Sequence, residues 1–161
     1  MKTSILSVAV LSGALVGIAG LAQAAGPLIV EGDIVRGAQQ GAPGPACVLN
    51  GQFKHLEKVV WRFRVHDQTG KALDNKGIKS LVVELPDGKK FEARYGGHGG
   101  NPPVDNFWTA TWVVPADYPN GSLTYKAVAT GDDGATATWQ PFLSKPSQLQ
   151  VVAGEIEIKK P

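Results

Sequence analysis

The chain has 161 residues, 43% of them hydrophobic, with 16 Lys and Arg against 14 Asp and Glu and a net charge of +2. That near-balance gives no electrostatic case for nucleic acid, whose phosphates call for a concentrated excess of Lys and Arg. A single cysteine, Cys47, excludes an internal disulfide, so the fold must hold by packing.

Met1-Lys2 precedes an apolar stretch over residues 5–21, and Ala22-Gln23-Ala24 supplies an A-x-A cleavage pattern. Residues 1–24 are therefore expected to be a secretory signal peptide, with an uncleaved anchor as the competing reading. Cleavage leaves 137 of the 161 residues, enough for one domain with a real core. The mature chain is expected in the periplasm or outside the cell, with no membrane span. Cys47 lies too far from the cleavage site to anchor a lipid.

Residues 27–35 predict a short edge strand, and 37–45, GAQQGAPGP, a linker or surface loop, so that 25–45 forms an N-terminal segment ahead of the main domain. Residues 46–49 predict a short strand carrying Cys47. In 58–67, KVVWRFRVHD, Val59, Trp61, Phe63 and Val65 alternate with Val60, Arg62, Arg64 and His66, a half-buried strand with a basic outer stripe. In 79–85, Leu81, Val83 and Leu85 share a face, and Pro86-Asp87-Gly88 is a turn in which Pro presets φ and Gly accepts the left-handed position. It predicts a hairpin onto 89–95, where Phe91, Ala93 and Tyr95 alternate with Lys90, Glu92 and Arg94.

Residues 107–130 predict a central hairpin. One run places Trp108, Ala110, Trp112 and Val114 on an apolar face opposite Phe107, Thr109, Thr111 and Val113. After Asn120-Gly121 the other places Leu123, Tyr125, Ala127 and Ala129 together. Gly131-Asp132-Asp133-Gly134 turns into a strand over 135–139, 148–152 predicts the last strand, and GEIEIKKP a charged tail over 154–161.

No stretch holds a helical period, and turn signals recur at sandwich-like spacing. The fold expected is all-β, two packed antiparallel sheets over residues 46–153. The order Gly-Ser-Leu-Thr-Tyr-Lys-Ala-Val-Ala-Thr-Gly-Asp-Asp-Gly at 121–134, with the strand 58–67 running into its Asp67-Gln68-Thr69-Gly70 turn, resembles bacterial immunoglobulin-like and fibronectin-III-like modules. The resemblance spans about half of the mature chain, lacks the paired cysteines of antibody domains, and implies a fold without implying catalytic residues.

The segment 95–106, YGGHGGNPPVDN, sets four glycines around His98 and adds two prolines, a backbone that lets a ligand come close while limiting its own wandering. Tyr95, His98, Asn101 and Asp105, with Arg62 and Arg64 of the basic stripe, are the candidate ligand-binding residues. The expected function is a non-catalytic binding or accessory module for a protein or extended ligand. The bland reading of the stripe is ion pairing with Glu84 and Glu92. The alternative function is a copper-binding or redox-accessory protein using His66, His98 and Cys47, although no pair has metal-ligand spacing. Cys47 beside Val48 and Leu49 is expected to be a small buried hydrophobe. Calcium at the acidic turns and sugar stacking on an exposed Trp are weaker readings, since Trp61, Trp108 and Trp112 all fall on core faces and only Trp139 is open. No catalytic signature appears.

Overall fold

Alternation of apolar and polar side chains gives the chain eleven strands in a computed structural model that describes residues 26–158. The expected leader, residues 1–24, lies outside the described residues, as do 159–161 of the expected tail. The strands are β1 (Ile29–Arg36), β2 (Gln52–His55), β3 (Lys58–His66), β4 (Ile78–Glu84), β5 (Lys90–Glu92) and β6 (Arg94–His98). They continue with β7 (Asp105–Val113), β8 (Gly121–Leu123), β9 (Lys126–Gly131), β10 (Thr136–Trp139) and β11 (Leu149–Glu155). The one helical element among the described residues is a 3-10 turn, Lys145–Ser147, with Pro146 inside it.

Two four-stranded antiparallel sheets, β1-β3-β7-β6 and β10-β9-β4-β5, pack face to face. A third sheet, β2-β11-β8, pairs β11 parallel to β2 and adds Phe53, Leu149 and Val151 to the same core. β1 is a full member of the first sheet, Ile29 pairing with His66 and Arg36 with Val59, so the sandwich starts at Ile29 rather than at residue 46.

The expected central hairpin over 107–130 does not form. β7 pairs with β3 and β6, whereas β9 pairs with β4 and β10, so the two runs lie in opposite sheets. The faces were nonetheless assigned correctly: Trp108, Ala110, Trp112, Val114, Tyr125, Ala127 and Ala129 are all buried. Trp61, fully buried, is the centre of the core and packs its ring on Phe91 at 5.5 Å, Tyr125 at 5.7 Å and Trp112 at 6.3 Å. Stacked and tilted aromatic rings at such separations add to the area they bury.

The predicted turns form as their chemistry requires. Gly88 (φ 85°) closes the β4–β5 hairpin with its N–H donating to the Leu85 carbonyl at 3.0 Å, and Asp87 accepts from the Tyr118 hydroxyl at 2.8 Å. Gly131–Gly134 joins β9 to β10 in the same way. Beyond the hairpin the chain changes sheets. The Ala93 N–H donates to Leu81 of β4, and the next residue, Arg94, pairs with Thr109 of β7. One side of the sandwich is thus closed by a single continuous stretch serving both sheets, and the other side is bounded by two separate edges, β1 and β10.

Residues 46–49 form no strand beyond a single bridge between Leu49 and Val35. Cys47 is exposed, not buried, and its backbone is left-handed with φ 60°. The segment lies against the outer edge of β1 through Cys47 N–H to Arg36 carbonyl at 2.7 Å and Arg36 N–H to Val48 carbonyl at 3.0 Å, which turns its side chains away from the core.

Candidate binding face

Because side chains alternate, the strands that send Trp61, Phe63 and Trp108 inward send Arg62, Arg64 and Phe107 outward. On the outer face of the first sheet, Asp33 of β1 stands opposite Arg62, and Glu31 opposite Arg64. Arg62 grips Asp33 through both carboxylate oxygens, Nε to Oδ1 at 2.7 Å, and this bond holds the guanidinium above its ordinary pKa against partial burial. Arg64 pairs with Asp105 of β7. The partners of the basic stripe are therefore Asp33 and Asp105. Glu84, expected beside it, belongs to the second sheet, where it pairs with Lys90 at 2.7 Å and Lys126 at 3.0 Å.

Phe107 is the aromatic centre of the face. The His98 ring stacks on it at 4.0 Å with the planes 11° apart, and the Arg62 guanidinium lies 5.8 Å from the same ring centroid. Gly96 of β6 stands directly opposite Phe107, and a Cβ there would meet nothing within 4 Å, so the ring keeps open space beside it. A shallow depression of about 310 Å³ is lined by Glu31, Asp33, Arg62, Arg64, Asp105 and Phe107.

Of the six expected binding residues, Arg62, Arg64, His98 and Asp105 gather here. Tyr95 does not join them, because it pairs with the buried Trp108 of β7 on the inward face of β6 and packs on that ring at 5.4 Å. It reaches the surface only along the wall of an adjoining depression of about 370 Å³. Asn101 is exposed on the connection 99–104, which is shorter than the loop expected because 94–98 and 105–113 are strands. Phe107, Asp33 and Glu31 were not foreseen. An aromatic on a face otherwise made of Thr109 and Thr111 was the available signal for the first.

His66 and His98 both end their strands at the Asp105 end of the sheet, one on either side of β7. Cys47 bonds to Arg36, at the other end of β1 from the Ile29 that pairs with His66, a separation of about 20 Å along a strand. The three residues of the copper reading thus do not converge, and among the described residues no group of three His, Cys, Asp or Glu side chains gathers. His55 is elsewhere, its Nε2 at 2.9 Å from the Tyr118 carbonyl.

Stacked rings with a guanidinium alongside offer flat surfaces to other flat groups, and the exposed Arg64–Asp105 pair can exchange partners with a charged ligand at small cost. No family model, curated protein or solved structure matches the chain.

Proposed function

We propose that the chain is an exported, non-catalytic module of immunoglobulin-like fold that recognises an extended segment of a partner protein on the outer face of its first sheet. The observation that supports this most directly is the His98–Phe107 stack beside Arg62. A large apolar ring held on the solvent side of a sheet contributes nothing to the core, and its stacking and cation–π neighbours prepare it as an anchor of the kind that dominates interfaces. The Asp33 and Asp105 carboxylates fix the two arginines in position, so a ligand meets ordered rather than mobile guanidinium groups. The apolar leader Ile5 to Leu21 with its A-x-A site supports export, which puts the partner in the periplasm or outside the cell.

The test is capture by immobilised chain from an extract of the exported compartment, with quantitative comparison of three forms. Proteins retained by the wild type are expected to be lost from the Phe107→Ser, His98→Ala double variant and kept by Glu84→Gln, Lys126→Ala on the other sheet. Equal retention by all three forms removes the face from the site.

A further inference from the structure

The open side of the sandwich carries a second surface, which meets the depression described above at Gly32 and Asp33. Between the edges of β1 and β10 runs a groove of about 640 Å³ whose walls are Ile34, Leu49, Trp139, Pro141 and Phe142, with Tyr125 at its floor. The Phe142 wall projects as a knob: Phe142 is 83% exposed and Leu143 68%, and Leu49, also in the lining, is 72% exposed. Elsewhere among the described residues apolar side chains this exposed are single, as Val104 is.

The β1 edge beside the groove is half used. Residues 48 and 50 bond to Arg36 and Ile34, with Asn50 N–H to the Ile34 carbonyl at 3.2 Å. Val30 and Gly32, whose backbone groups point the same way, have no backbone partner on that edge among the described residues. Such an edge is a template for another chain.

We infer that this side is a self-association surface, occupied by a second copy of the chain related by a two-fold axis, with Phe142 and Leu143 of each copy entering the groove of the other. An isologous contact needs one patch to present both a projection and its complement, and a knob adjoining a groove of the same apolar character meets that condition. The area fits as well. Leu49, Phe142 and Leu143 together expose on the order of 400 Å² of side chain, about half of the roughly 800 Å² per partner that a stable interface removes from water. The groove walls and the free stretch of β1 supply surface toward the rest. A net charge of only +2 opposes self-association weakly. A two-fold contact uses the same patch on both copies, so the pairing closes rather than propagating into a filament.

Sedimentation equilibrium of the purified chain from micromolar to submillimolar concentration tests the inference. The wild type is expected as a dimer at the upper end. Phe142→Ser with Leu143→Ser, and separately Leu49→Ser, are expected to weaken it by at least tenfold, whereas Val104→Ser leaves it unchanged. All four positions are solvent-exposed, so circular dichroism and thermal unfolding should match the wild type and separate lost association from lost folding. A wild type that stays monomeric throughout overturns the inference. So does a dimer that the Phe142, Leu143 variant fails to weaken, since its contact must lie elsewhere.

Discussion

The two outer faces of the sandwich are built on the same strand geometry and differ in what their side chains can do. The second sheet presents Val82, Val128 and Thr130 with Lys90, Glu84 and Lys126 joined in one exposed ion-pair cluster. It is a solvated surface on which one carboxylate is shared by two lysines. The first sheet places Phe107 among His98, Arg62 and Arg64, anchors both arginines with aspartates from neighbouring strands, and leaves the position facing the ring to glycine. Ion pairing is common to the two faces, so charge alone does not set them apart; the ordered flat groups of the proposed binding face do.

That contrast can be sharpened by changing residues of each face in turn. The largest expected effect comes from β6. A Cβ at Gly97 would lie 2.4 Å from Pro103, so Gly97→Ala is expected to lower stability by about 1–3 kcal/mol in denaturant unfolding, as overpacking does. Gly96→Ala, on the outer side of the same strand with open space around it, should stay within about 0.5 kcal/mol. Equal losses at both positions contradict the assignment of faces in β6.

Next in size is the loss of one carboxylate from each face. Asp33→Asn removes a bidentate partner from a half-buried Arg62 and should destabilise by about 1 kcal/mol, with little response to salt. Glu84→Gln on the other sheet breaks two exposed pairs, and its cost should be smaller than that of Asp33→Asn at low salt and vanish at high salt. Urea unfolding at two ionic strengths distinguishes the two faces. A reversed order would mean that the Asp33–Arg62 pair is no better fixed than the surface cluster.

Two smaller effects appear only away from neutral pH. Lys90 and Lys126 hold the Glu84 carboxyl below its ordinary value, so its contribution is present above the unfolded carboxylate pKa of about 4 and is lost as pH falls through the lower folded value. Wild type and Glu84→Gln should therefore converge in stability in acid. At the other extreme, burial and the bond to Asp87 push Tyr118 up to about 12. A folded value above the unfolded one of about 10 means that its contribution is complete below pH 10 and lost as pH rises toward the folded value. Absorbance titration of the phenolates should show Tyr118 ionising late, and in Asp87→Asn it should ionise earlier. An unchanged midpoint in that variant leaves burial as the sole cause.

Much of this architecture was legible because alternation is a property of single strands. Trp61, Trp108 and Trp112 were assigned to the core from their spacing, and Pro86-Asp87-Gly88 and Gly131–Gly134 announced their turns. What alternation does not encode is which strand lies beside which. The run after Asn120-Gly121 was paired with β7 because it follows in sequence, yet residues 114–120 are long enough to carry the chain across the roughly 10 Å between packed sheets. The same blindness to order gave Arg62 and Arg64 glutamate partners instead of Asp33 and Asp105. Tyr95 was misjudged for another reason. Glycine-rich surroundings suggested a loop, but its phase with Phe91 and Ala93 already committed the ring to the interior. Cys47 followed its apolar neighbours in the sequence and not in space, because its left-handed backbone turns it out.

The crossing at Ala93 also bears on how the chain folds as it is made. The first sheet has all its strands only at residue 113 and the second only at 139, and β4 and β5 of the second lie in sequence between β3 and β6 of the first. A nascent chain released only as far as Glu92 holds β1, β3 and the β4–β5 hairpin but lacks β7 and β9, the inner strands on which each sheet closes. Most of the polypeptide must therefore emerge before cooperative folding begins, a delay in which its aromatic strands stand open to association with other chains.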